Sequence, residues 1–214
     1  MGIRSQLRPS AVCLLTLLLL TAPTLGQDAT AADAPEGSWS FELSAYTYFP
    51  ADDDTYVSPI FTADRDELHL EARYNYEAQD TGSAFVGWNF AFGDEFVFEV
   101  TPMIGAVLGR VNGVAPGYRF SLTYDRFELF SEGEYLFDLE DDSESYFYTW
   151  SELSWSATEW LRLGLAIQRT RAYDSDVDVQ RGLLVGFSYR TIDFTTYVFE
   201  LDDPTVVLAL SFSF

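Results

Sequence analysis

The final stretch, Val206-Val207-Leu208-Ala209-Leu210-Ser211-Phe212-Ser213-Phe214, decides the fold. Val206, Leu208, Leu210, Phe212 and Phe214 share one face of an extended strand, and Val207, Ala209, Ser211 and Ser213 share the other. Side chains alternate across a strand with a period of two, so one face is large and apolar and the other small or polar. Ends of soluble chains ordinarily fray. A final strand this apolar needs a partner. In a closed barrel it has one, because it must meet the first strand to complete the wall.

The same alternation recurs from Ser38 onward, with no stretch of helical period. It predicts about twelve strands: 39–49, 56–62, 68–76, 83–92, 96–108, 118–124, 127–137, 146–155, 160–170, 181–189, 194–200 and the terminal one. The weakest is 56–62, because Pro59 cannot complete a strand ladder. In 68–76, Leu68, Leu70, Ala72, Tyr74 and Tyr76 are set outward against His69, Glu71, Arg73 and Asn75. In 146–155, the mid-strand Glu152 faces inward and takes Tyr146, Tyr148 and Trp150 with it, since faces are not chosen residue by residue. The phase of 194–200 is ambiguous.

Connections alternate in kind. Short ones fall near 64–66, 93–95, 125–126, 157–158 and 191–192. Longer, mostly acidic ones are expected at 51–55, 77–82, 110–117, 139–145, 171–179 and 201–204. Trp39, Phe41, Phe90, Phe96, Phe127, Trp160, Phe212 and Phe214 all sit at the short-turn ends, as a girdle at a membrane interface would. A soluble sandwich would have to bury these rings in one core, and the strands offer too many outward faces for that.

The carboxy-terminal strand resembles the signature of bacterial outer-membrane β-barrels, a broad porin-like class. That resemblance covers the whole chain after residue 26 and implies a single up-and-down antiparallel transmembrane barrel over residues 38–214. It implies recognition by the barrel assembly machinery, contact with outer-membrane lipids and lipopolysaccharide, and residence in a Gram-negative bacterium. Short turns are periplasmic in this class, which puts both termini on that side.

The amino terminus agrees. Arg4 and Arg8 precede an apolar run from Ala11 to Ala22, and Thr24-Leu25-Gly26 supplies small residues for cleavage. Residues 1–26 therefore read as a secretory signal peptide, too short in its apolar core for a ~20-residue membrane helix. Residues 27–37 read as a short flexible tail. Cys13 lies before most of the apolar core, which argues against a lipoprotein, and the remainder has no cysteine for disulfides or thiolate metal sites.

The net charge is -22 with no lysine; beyond residue 26, 10 arginines face 34 acids, giving -24. Nucleic-acid binding does not suit this balance. Aromatic residues make up 17%, too many for an acidic disordered chain. Charge and rings coexist if charges line the lumen and loops while rings line the wall.

The inward face collects Glu42, Glu71, Glu99, Glu128, Glu132, Glu134 and Glu152 with Arg73, Arg119 and Arg162. This set reads either as an electrostatic filter favouring cations or as a salt-bridge network that fills the barrel. Tyr46, Tyr48, Tyr146, Tyr148 and Trp150 form a lumen aromatic cluster, able to stack on a planar solute but preferred as packing at a constriction. Inward Gly87, Gly105, Gly164 and Gly186 give room, either to solute or to neighbouring rings.

His69 is the only histidine. A lipid-modifying enzyme would need it as a base beside a serine or metal, and a structural lumen histidine is preferred. With no second histidine, a His-rich metal site is excluded. No cofactor is expected, though oxygen ligands at Asp174, Asp176 and Asp178, or in the runs at Asp52 and Glu140, suit a divalent cation at the outer loops. The leading function is passive passage of small solutes or cations. The alternatives are a non-conducting structural or adhesion barrel and the enzyme.

Overall fold

The computed structural model describes residues 37–51, 53–140, 145–172 and 178–214. The expected signal peptide and nearly all of the tail lie outside them, as do Asp174 and Asp176. The described chain is all-β. Its strands are β1 (Ser40–Phe49), β2 (Tyr56–Arg65), β3 (Leu68–Tyr74), β4 (Thr81–Trp88), β5 (Phe90–Phe92), β6 (Phe96–Gly109) and β7 (Gly113–Tyr124). There follow β8 (Phe127–Asp138), β9 (Tyr146–Thr158), β10 (Leu161–Ala172), β11 (Asp178–Tyr189), β12 (Ile192–Phe199) and β13 (Thr205–Ser213).

Every pairing is antiparallel, and the β4–β6 and β1–β13 ladders close the sheet on itself. At the seam, β1 and β13 pair from Glu42 opposite Ser213 to Phe49 opposite Val206. Beyond it, Phe41 and Phe214 each donate an N–H to the other's carbonyl at 2.9 Å. The terminal strand thus meets the first one, and no sheet edge is left to face lipid.

The thirteen segments make twelve walls, because β5 continues β4. Gly87 stands opposite Met103 and Phe90 opposite Val100, one unbroken register. That register sets Trp88 against Pro102, which has no N–H to give the ladder. Pro59 is tolerated for a related reason: it pairs with Ala45 of β1 but lies just past the end of the β2–β3 ladder. Beyond that end the side chain of Asn75 donates to the Val57 carbonyl at 3.1 Å. Both β2 and its neighbours therefore form as full strands.

Alternation sorts the side chains as expected. Leu43, Leu70, Phe96, Ile104, Leu153, Leu165, Leu183 and Leu210 are exposed on the outer wall, while Ser44, His69, Glu71, Arg73, Met103 and Glu152 are buried inside. The ambiguous β12 takes the phase with Thr195, Tyr197 and Phe199 inward.

Two expectations fail. Residues 110–117 are not a long loop. The turn is confined to 110–112, and β7 begins at Gly113. Gly113, Pro116 and Gly117 look like strand breakers in sequence. In the wall, the β7–β8 ladder skips Ala115 and Pro116 and resumes at Gly117 opposite Glu134 in unchanged register. Tyr76 is the second. β3 ends at Tyr74, and Asn75 adopts φ 56°, which reverses the alternation and turns Tyr76 inward.

Four of the five short turns centre on Asp66, Gly93, Asp125 and Arg190, each with positive φ, and the fifth is Glu159–Trp160. They share one end of the barrel with both ends of its wall, here called the turn end.

Candidate functional site

All ten charged residues expected in the lumen face it, and eight of them fall into two networks. The first is anchored on β3. Arg73 bonds Glu71 through Nε and Glu134 through Nη1 at 2.8 Å, with Glu77 at 3.8 Å. Its guanidinium lies between the Tyr76 ring at 4.2 Å and the Phe85 ring at 4.3 Å, a cation held between two π faces. Arg119 extends the network from Glu71 at 3.3 Å to Glu132 at 3.8 Å.

The second network lies on the opposite wall around Glu152. Arg162 donates to it at 3.3 Å, Trp150 Nε1 at 2.8 Å and the Tyr197 hydroxyl at 2.7 Å. Arg162 also reaches Glu128 at 4.0 Å and Thr195 at 3.3 Å. Glu42 and Glu99, nearer the turn end, accept only from serine hydroxyls: Ser44 at 2.8 Å and Ser121 at 3.0 Å.

Between these walls is a cavity of about 450 Å³ in the turn-end half. Its lining includes Glu42, Glu128, Glu152, Asp193, Arg119, Arg162, Tyr46, Phe130 and Tyr197. A smaller hollow of about 230 Å³ shares Arg119, Glu128 and Phe130 with it.

A layer of rings roofs the cavity. Tyr46, Tyr48, Tyr76, Tyr148, Trp150 and Phe130, with Glu132, enclose about 10 Å³, close to the space that a single water centre needs. Tyr46 meets Trp150 edge-on at 6.4 Å, and Tyr76 meets Tyr148 edge-on at 5.6 Å. Four of the five expected aromatics therefore gather. Tyr146 belongs instead to a cluster of Phe85, Met103, Val107, Ala115 and Leu136 on the other side of the outer half. Beside the layer, Trp150 packs on Tyr197 and Phe199, and Phe199 is 0% exposed. The lumen is thus polar and hollow at the turn end and filled by rings and aliphatic groups toward the loops.

The inward glycines seat side chains. A Cβ on Gly105 would stand 2.5 Å from the Phe85 ring, and one on Gly186 would stand 3.2 Å from Arg162 Nε. At these two positions the space is taken by Phe85, which stacks on Arg73, and by Arg162 itself.

His69 is buried with a carboxylate on each ring nitrogen, Asp64 at 2.7 Å on Nδ1 and Glu71 at 3.2 Å on Nε2. No serine is among its hydrogen-bond partners, and the ring points into the lumen. Among the described residues no cluster of His, Cys, Asp or Glu is arranged to hold a metal. Of the proposed outer-loop ligands, Asp178 at the start of β11, Asp53, Asp54 and Glu140 are described, while Asp52, Asp141, Asp142, Asp174 and Asp176 lie outside the described residues.

Sequence reasoning missed Tyr76, Glu77, Asp64, Phe130, Asp193 and Tyr197. Asp64, Phe130 and Asp193 sit on inward phases that alternation could have marked. Tyr76 and Glu77 were out of its reach, because they follow the reversal at Asn75.

The girdle residues Trp39, Phe90, Phe96, Phe127, Trp160, Phe212 and Phe214 are exposed on the outer wall at the turn end. Many stack: Phe41 on Phe214 at 5.6 Å, Trp39 on Phe41 at 6.1 Å and Phe96 on Tyr124 at 4.2 Å.

No family model and no curated protein matches the chain. Solved structures do. A KdgM porin aligns with TM-score 0.60 and 10% identity, covering 81% of this chain and 99% of that one. A KdgM porin in complex with disordered oligogalacturonate gives TM-score 0.58 at 9% identity, with 81% and 99% covered. The outer membrane protein Omp33 of Acinetobacter baumannii gives 0.50 at 12% identity, with 82% and 98% covered. At such identities the likeness is one of fold. That fold, a closed antiparallel β-barrel with an apolar exterior, is the one that these porins share.

Proposed function

We propose that the barrel is a narrow passage for small solutes that prefers cations, set in the outer membrane of a Gram-negative bacterium with both chain ends periplasmic. The cavity at the turn end carries the reading. Its four carboxylates, Glu42, Glu128, Glu152 and Asp193, outnumber Arg119 and Arg162. Arg162 offsets Glu152, and Arg119 is drawn to Glu71 and Glu132. Glu42, Glu128 and Asp193 are left to set the field that an entering ion meets. An acidic oligosaccharide such as the oligogalacturonate bound by the KdgM porin suits this mouth poorly, because its charges would meet like charges.

The test is the reversal potential of purified protein in a planar bilayer under a potassium chloride gradient. The expected sign is that of cation selectivity. An anion-selective reversal would overturn the reading.

A second reading, a non-conducting structural barrel, is favoured by one observation. The rings of the aromatic layer pack together and leave a hollow of only about 10 Å³ among them. Well-folded protein with no conductance in any condition would establish it.

Two surface roles accompany either reading. The exposed Phe212 and Phe214 would be read by the assembly machinery during insertion. Arg169 and Arg181, exposed on the outer wall near the loops, would bind lipopolysaccharide phosphates by charge-assisted hydrogen bonds.

A further inference from the structure

We propose that the segment joining β3 to β4, residues 75–80, is a proton-latched gate over the lumen, closed when the Glu77–Glu134 pair holds a proton and opened when it is lost.

The segment does not lie outside the barrel. After the reversal at Asn75, Tyr76 and Glu77 enter the lumen. The Tyr76 hydroxyl donates to Glu132 at 2.6 Å, and its ring joins the aromatic layer. Glu77 is held by the Ser83 hydroxyl at 2.5 Å, and its backbone carbonyl accepts from Tyr146 at 2.8 Å.

Two oxygens in this arrangement are unsatisfied. Glu77 Oε2 and Glu134 Oε1 are buried and lack a hydrogen-bond partner. The Glu77 side chain is 0% exposed and that of Glu134 2%. The facing groups make the imbalance plain. Arg73 and Glu71 come from β3, Tyr76 from the segment itself and Ser83 from β4. Arg119 of β7 joins Glu71 to Glu132 of β8, and Tyr146 comes from β9. The remaining wall is apolar: Val107, Ala115 and Leu136. Two guanidinium groups therefore face four carboxylates.

A buried carboxylate oxygen with no donor is costly, and carboxyls that share one site do not both ionise. The closed segment accordingly needs a proton on Glu77 or Glu134. Burial pushes the Glu77 carboxyl up from its usual value, in the same sense. As pH rises the proton passes to bulk water and the pair becomes doubly charged. Glu134 is fixed in the wall, so Glu77 is the one that leaves. It takes Tyr76 with it, and the aromatic layer loses a ring.

The gate deepens the passage reading and rests on it for one of two readouts. The first readout does not need conduction: a nitroxide on Ala78→Cys, with the barrel in lipid vesicles. Cys13, the only other cysteine, lies in the expected signal peptide. The label is expected to be immobile at about pH 5 and to lose its immobile component by about pH 9, a span that covers the pKa values of buried carboxyls. Glu134→Gln limits the pair to the single negative charge of the closed state and should hold the label immobile throughout. Glu77→Gln, with the same label, serves if that variant fails to fold. The second readout is conductance, expected to rise over the same interval in the parent and stay low in either variant. A label equally mobile at both ends of the range, or variants that follow the parent, would overturn the gate. A pH-responsive label without conductance would support the gate and remove the passage.

Discussion

Arg73 Nη1 donates to Glu134 Oε2 at 2.8 Å, tying β3 to β8, two strands that do not pair. The bond crosses the lumen and fixes the distance between opposite walls. Its members are buried and also engage Glu71 and Glu77, so Arg73 is the hub of its network. Arg73→Met leaves three carboxylates without their main cation. Breaking a buried ion pair on one side costs about 3–5 kcal/mol. Urea unfolding followed by tryptophan fluorescence should show a loss of that order, with Arg73→Met/Glu134→Met less damaged than Arg73→Met alone.

Tyr148 and Tyr48 narrow the lumen from β9 and β1. Tyr48→Ala/Tyr148→Ala removes two rings from a layer that encloses about 10 Å³. Single-channel conductance should rise several-fold, with cation preference kept, because the carboxylates below are untouched. An unchanged conductance would mean that the narrowest point lies elsewhere.

The mouth should control selectivity separately from size. Neutralising Glu42, Glu128 and Asp193 to Gln, Gln and Asn should shift the reversal potential toward zero with little change in conductance at high salt. The parent's preference should itself fade with salt, as the screening length falls from about 10 Å at 0.1 M to about 3 Å at 1 M.

Gly105 lies against Phe85, whose ring stacks on Arg73. Gly105→Ala puts a methyl 2.5 Å from that ring. Overpacking of this kind costs about 1–3 kcal/mol. The unfolding midpoint should fall accordingly, and a second change, Phe85→Leu, should restore part of it.

The seam is the remaining test. Deleting residues 212–214 removes the mutual Phe41–Phe214 hydrogen bonds and the ladder pairs of Phe212 and Ser213. Less of the protein should run as the compact, heat-sensitive form on a gel. Phe214→Leu keeps the backbone bonds and should fold more fully than the deletion.

Much of this was legible beforehand, because a half-lipid, half-lumen strand writes its fold as strict alternation. Leu70 outward and Glu71 inward needed no three-dimensional information, and neither did the pairing of the first and last strands. The failures are local and physical. Pro116 and Gly117 carry the composition of a loop yet sit in the wall, because missing ladder bonds are tolerated when the register continues past them. Tyr76 went to the wrong face because one positive φ at Asn75 reverses the side chains that directly follow it, and composition does not reveal that angle. Individual acids could be placed in the lumen, but which carboxylate would find an arginine could not. Glu71 and Glu134 owe Arg73 to the way the sheet curls, and Glu42 and Glu128 owe their weaker pairing to the same curvature.

The carboxylates left without an arginine lie at the turn end of the lumen, and the layer of rings lies beyond them. An ion driven by voltage meets the charged half first from one side and the apolar constriction first from the other. In the former direction cations accumulate before the narrowest point; in the latter they are depleted. On the passage reading, such a barrel should rectify. Its current–voltage curve bends, and the direction of the bend reports which way round a single molecule has entered the bilayer.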